Sequence, residues 1–387
     1  MDELGGYFSG AIRQHVERGQ GLLARVPTDL PAEFYPLAQT CQKELERILD
    51  ELGELQKLLG GPPEELLRRF RRAVKDLKLV ETTGIPPLER FHEKDDVFLN
   101  RLVRQVRSEI QSPLLPPVVS SLSTDYFHFY YYFNLLLVPL SEGNFLLHLP
   151  DLYHELAHPL LVDKHNPRVK SFQRAWLDAY ARAMEYLHEE RQKEERRRSP
   201  QLFSYYLQQW GNSWAGWLIE FFCDLFAIYA VGPAFAWSHL HLWVKLGQNP
   251  FEYQTYLPMS HPADDARMGA ILAGLRIAGF SQEAMRIQSR WKAFLEISGF
   301  QPEPEYCRCF PAHLIEHIAL KGSEGYQGMS CQPVTLTGDL SVSAILNQAW
   351  TCFWQDPLSY ATWERRAVEE LRERCAVGNC NYASLPR

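Results

Sequence analysis

Asp151-Leu152-Tyr153-His154-Glu155-Leu156-Ala157-His158-Pro159 is the segment around which the rest of the chain can be organised. Residues four apart on an α-helix lie on one face, so a helix here turns the imidazoles of His154 and His158 toward a common point. Two neutral imidazoles at that spacing suit one Zn²⁺, and Glu155 is placed to reach the water such an ion activates. Pro150 and Asp151 favour a helix start, because a first-turn proline has no N–H to lose and an acid complements the positive helix end. Pro159 works the other way. A proline inside a helix removes a hydrogen bond and clashes with the carbonyl four residues earlier, here Glu155, so the helix is expected to kink or end there.

A zinc site that does chemistry needs a third protein ligand and one open position. The metzincin continuation requires Gly three and His six residues past the second His; those positions hold Leu161 and Lys164, and His165 is one residue out of register. A later run, Trp217-Leu218-Ile219-Glu220-Phe221-Phe222-Cys223-Asp224, supplies the alternative. Glu220 and Asp224 share a face of an otherwise apolar helix, and two carboxylates in that setting need a cation or hydrogen-bond donors. Glu220 is the expected third ligand, with Asp224 its rival. In the first case Asp224 accepts the free ring N–H of a ligating His.

With these two elements and a third, Ser260-His261-Pro262-Ala263-Asp264-Asp265-Ala266-Arg267, the chain resembles the gluzincins. Within them it is similar to the family of CAAX prenyl endopeptidases and Oma-type mitochondrial proteases, over roughly residues 126 to 275. The resemblance implies a zinc metalloendopeptidase with His154, His158 and Glu220 on the metal. In it Glu155 is the general base, Asp224 stands behind a ligand, and His261 and Arg267 hold substrate or transition state. It further implies a peptide or protein substrate aligned by backbone hydrogen bonds along an edge strand before the metal helix. Tyr256 is a further candidate donor to the oxyanion. The prenyl endopeptidases cross the membrane several times and this sequence shows no such series of spans, so a prenylated substrate is not implied. A different class is also open: a zincin fold retained as a binding, scaffold or regulatory module with a structural metal and no turnover.

The C-terminal segment carries a competing pattern. His313-Leu314-Ile315-Glu316-His317 has inverted zincin spacing, and with Cys307 and Cys309 it could form a second, structural Cys₂His₂ zinc site. Cys375 and Cys380 could join it.

Composition narrows the partners. In 387 residues, 40 basic and 47 acidic side chains leave a net charge of -7, the wrong balance for nucleic-acid binding. Residues 214 to 237 are apolar enough for a bilayer, but Glu220 and Asp224 near the middle favour a buried helix with a polar site over a membrane span. The first residues, Met1 to Gly6, lack a basic and an apolar region, and the eight cysteines are scattered, so reduced thiols and a cytoplasmic location are expected. Ten Trp, eighteen Tyr and twenty-one Phe are expected to line the core and a cleft.

The expected architecture is mainly α (α+β), in three parts. Residues 1–112 form a helical domain, with helices ending at Gly60-Gly61-Pro62-Pro63 and breaking at Gly84-Ile85-Pro86-Pro87. Arg68, Arg69, Arg71, Arg72 and Lys75 on its second helix are a solvated face that could also receive an acidic protein partner. Residues 113–300 form the zincin-like domain, opening with a β-hairpin whose strand from Tyr126 to Leu140 turns at 141–144 into Phe145-Leu146-Leu147. A charged linker over 189–198 separates two of its helices. Residues 301–387 are a mixed segment packed on the core, with a short strand around Val334–Leu336 and a closing helix.

Overall fold

In a computed structural model the chain is mainly helical with one small sheet. The structure describes residues 3–59, 61–123, 126–197, 201–253, 259, 261–335 and 341–377. Compactness separates two units, 1–103 with 117–141 and 104–116 with 142–387. The division falls at Val103, inside the helix Lys94–Ile110, and not at the expected 112, and the sheet groups with the N-terminal helices.

The first unit holds α1 (Glu3–Arg25), α2 (Tyr35–Lys57), α3 (Pro63–Leu79), α4 (Ile85–Glu89) and the start of α5 (Lys94–Ile110). The leucine stripe of α2 is its core: Leu45, Leu52 and Leu55 are fully buried, with Ile48 between them. The break expected at Gly84 is absent. Val80–Gly84 form a π-helical turn that passes directly into α4, because prolines at the first positions of a helix need no N–H partner. Gly84 has to lack a side chain, since a Cβ there would stand 2.6 Å from the Cys41 sulfur.

The sheet has three strands, β1 (Val118–Ser123), β2 (His128–Tyr130) and β3 (Leu135–Pro139), in the order β1-β3-β2. β1 runs parallel to β3 and β2 antiparallel to it. The hairpin is thus not the expected one. Its turn is Tyr131–Phe133 with Asn134 in the left-handed region at φ 45°, which asparagine tolerates better than most residues. Phe145-Leu146-Leu147 is not a strand; the Leu146 N–H is taken by the Glu364 carboxylate instead of a neighbouring strand.

The second unit contains α6 (Asp151–Val162), α7 (Lys170–Arg197), α8 (Gln201–Val231), α9 (Pro233–Leu246), α10 (Asp264–Ile277) and α11 (Ser281–Ser298). After these come α12 (Pro304–Cys309), α13 (Ala312–Gly328), α14 (Val342–Gln355) and α15 (Tyr360–Val377). α8 is its axis, packed by α6, α7, α10 and α13. Trp210, Trp214, Trp217, Phe221 and Phe222 along it are fully buried, and Phe310 stacks among them. Part of the ring surplus is therefore core. Among the described residues one helix, over Tyr205–Val231, is long and apolar enough to cross a bilayer, and 83% of its apolar window is buried inside the fold.

Two expectations fail here for identifiable reasons. The charged stretch from Glu189 is helix as far as Arg197, since Glu190 and Glu194 point inward to the guanidinium of Arg308 at 2.9 and 2.6 Å; Arg198 lies outside the described residues. Val334 and Thr335 are not in a strand. The Val334 N–H caps α8 by donating to the Tyr229 carbonyl at 2.8 Å, a helix-end acceptor with no partner inside the helix. Leu336 lies outside the described residues.

α13 meets α7 through Gly325 and Gly328. A Cβ at Gly325 would lie 3.0 Å from the Ala175 Cβ and 3.1 Å from the Phe172 Cα, atoms that cannot rotate away. Gly325→Val is therefore expected to destabilise the protein by about 1–3 kcal/mol, seen as a lower denaturation midpoint in urea with an unchanged slope.

Candidate metal centre

α6 presents His154, Glu155 and His158 as one helical turn. Pro159 does not stop it at once: the helix runs to Val162, and the Asp163 N–H closes it on the Pro159 carbonyl at 3.0 Å. α8 crosses α6 with Glu220, Cys223 and Asp224 on its inner side, and the segment into α10 brings His261 and Arg267. All the expected ligands and auxiliary residues except Tyr256, which lies outside the described residues, thus fall in one place.

Asp224 is the hub. It is completely buried, and its carboxylate receives His154 Nδ1 at 2.8 Å and a forked pair from Arg267, Nε at 2.8 Å and Nη2 at 2.6 Å. Burial opposes its charge, but the guanidinium and His154 outweigh that and hold the carboxyl well below the usual range. With Nδ1 committed to Asp224, the other nitrogen of His154 faces inward, and the ring is stacked 6.0 Å from Phe235 of α9. The contact expected of Asp224, a carboxylate accepting a ring N–H of His154, is thus present geometrically. Arg267, expected near substrate, is bonded to Asp224 through Nε and Nη2.

Glu220 supplies the test of whether a cation fits. Its Oε2 is buried and has no hydrogen bond of proper geometry, although Nε2 of His154 and Nε2 of His261 stand 3.3 and 3.6 Å away. If His154 donates through Nδ1, its neutral ring offers Nε2 only as an acceptor, so two acceptors face each other across 3.3 Å. That arrangement requires a proton or a cation between them. With no cation there a proton takes the place: burial opposes charge on His154, but the contacts with Asp224 and Glu220 prevail and push its pKa up to about 10. Burial likewise opposes the charge on Glu220, while His154 brings it down to about 2. His158 behaves oppositely: burial and the neighbouring His154 push it down to about 4, leaving a neutral imidazole, the form that binds metal. The two rings lie 5.0 Å apart.

Glu155 is partly buried. Burial and the charges of Glu220 and Asp151 raise its carboxyl to about 7, the range in which a group both takes and returns protons near neutrality. His261 is 60% exposed at its side chain and forms the open side of the group.

One donor escaped the sequence reading. Cys223, fully buried and with no disulfide partner, places its sulfur within 4.8 Å of ring nitrogens of both His154 and His158. Its position three residues after Glu220 was the available signal, since i and i+3 share a face. The second metal site is not formed. Cys307 is exposed, Cys309 is buried in the core, and His313 lies on the outside of α13 against Tyr186. Among the described residues, His154, His158 and Cys223 are the one group whose donor atoms all lie within 4.8 Å of one another; the Glu220 carboxylate stands outside it, against His154 at 3.3 Å. Cys380 lies outside the described residues.

No protein-family model, curated protein or solved structure matches the chain significantly. The functional reading rests on the chemistry of these residues.

Proposed function

We propose that this centre holds one divalent metal ion, zinc by the nature of its donors, and that the protein hydrolyses peptide bonds in a peptide or protein substrate. The observation that carries the reading is the unsatisfied Glu220 oxygen facing the inner nitrogen of a histidine already fixed by Asp224. His154, His158 and Glu220 would hold the ion. When bound, it supplies Lewis-acid polarisation of a carbonyl and makes water acidic enough to ionise near neutrality.

The chain's own groups do the rest. Glu155 accepts a proton from the attacking water at its carboxylate and returns it to the leaving amine, a cycle its raised pKa suits. Asp224 fixes the tautomer and angle of His154. Arg267 is a positioning residue, keeping Asp224 ionised and oriented. His261, at the exposed rim, is the residue placed to meet substrate, where a donor aimed at the developing oxyanion contributes roughly 3–4 kcal/mol. The peptide nature of the substrate follows from the likeness of the three motifs to gluzincin metallopeptidases.

Elemental analysis tests the centre directly. Purified protein is expected to carry about one zinc per chain, and His154→Ala to lose it on dialysis. Zinc retained at full occupancy in that variant would move the metal elsewhere. Incubation with a peptide library, read by mass spectrometry, then tests hydrolysis; no cleavage by the zinc-loaded protein would sink the peptidase reading.

A further inference from the structure

Hydrolysis by two histidines, Glu220 and Glu155 leaves one reactive group at the centre without a task. Cys223 lies on the α8 face that carries Glu220 and next to Asp224, and it is completely enclosed. A buried cysteine ordinarily serves as a small apolar filler. What sets this one apart is the closeness of its sulfur to two metal-binding imidazoles, all within 4.8 Å of one another. No packing role requires that convergence.

We infer that Cys223 is a fourth protein donor to the metal, closing the centre into a latent state. The inference rests on the metal reading of the same site. The two imidazoles and the sulfur already converge, and the Glu220 carboxylate, 3.3 Å from His154, would complete a tetrahedral sphere by moving in, the closed kind found where a metal is stored or structural, whereas turnover needs one position open to water. As the sulfur binds, its proton is released to solvent, since only the thiolate ligates. One metal–sulfur bond forms, and the position a water would occupy is filled. Reversal takes up a proton and reopens that position, with no oxidant or reductant needed. The soft sulfur donor also favours thiophilic ions over magnesium or calcium. The two classes considered for this chain, hydrolase and silent metal module, thereby become two states of one centre.

The probe is Co²⁺ loaded into the full-length protein. The wild type is expected to bind one Co²⁺ per chain and show a near-ultraviolet sulfur-to-cobalt charge-transfer band. Cys223→Ser is expected to bind one Co²⁺ and lose the band, and Cys223→Ala serves as the second variant should serine disturb folding. A wild-type protein that binds one Co²⁺, dependent on His154, but shows no such band would overturn the role of Cys223 and leave the hydrolase reading standing. A protein that binds no Co²⁺ stoichiometrically, or binds it equally after His154→Ala, would remove the metal reading itself. A band that persists in both Cys223 variants would assign the sulfur to another cysteine and overturn the inference.

Discussion

Glu155→Gln is expected to keep its full complement of metal while its peptide hydrolysis falls by about 10²–10⁴-fold. The substitution is nearly isosteric and removes only the ability to accept a proton. Nothing that holds the ion changes, because His154 is fixed by Asp224 and Glu220 stands on a different helix. Elemental analysis should therefore not distinguish variant from wild type, whereas turnover under saturating substrate should collapse with little change in KM, the pattern of a contact made only in the transition state. Loss of metal together with activity would show that Glu155 holds the centre together and is not the base. The proton-accepting form of wild-type Glu155 prevails above about 7 in the metal-free protein. A bound cation nearby lowers that value, since an opposite charge favours the ionised carboxylate. The acid limb of the pH–rate profile is accordingly expected below neutrality, and it should disappear in the variant.

The parts of this site that follow from local periodicity were legible in the sequence. His154 and His158, and Glu220 and Asp224, are each four apart, and helical geometry alone puts each pair on one face. The apolar surroundings of the second pair then demanded a partner for buried charge, which His154 and Arg267 provide. Features that depend on distant partners were not legible. Glu190 and Glu194 read as part of a solvated charged linker because Arg308, which draws them inward, is more than a hundred positions away. The true hairpin turn is hidden because Tyr131, Tyr132 and Phe133 have strand-forming side chains, while the conformation is decided by Asn134. Cys223 was passed over because the hydrolytic scheme needs no sulfur; only the crossing of α6 and α8 brings it to the imidazoles. The contact of Arg267 with Asp224 was hidden for the same reason, since position along the chain does not reveal which carboxylate a guanidinium meets.

That contact has a measurable consequence. Arg267→Met is expected to destabilise the protein by about 3–5 kcal/mol, the usual effect of removing one partner from a buried ion pair. Arg267 is 14% exposed at its side chain and Asp224 not at all, so solvent cannot replace the two lost hydrogen bonds. A substrate-binding arginine at a cleft would behave differently: its loss would raise KM and leave the melting temperature alone. The pH dependence separates the cases further. Arg267 holds the pKa of Asp224 below that of an unfolded aspartate, so the stabilisation is complete above about 3.9 and is lost as pH falls through the folded value. The difference in melting temperature between wild type and variant should therefore be full at pH 7 and narrow below pH ~4, where Asp224 is more readily protonated in the variant. Arg267→Lys keeps the charge without the planar fork and should fall between the two. Because Asp224 also orients His154, the methionine variant is expected to bind zinc about 10–100-fold more weakly even at temperatures where it remains folded. A variant with unchanged melting temperature and zinc affinity but a raised KM would return Arg267 to the substrate and remove it from the support of the metal.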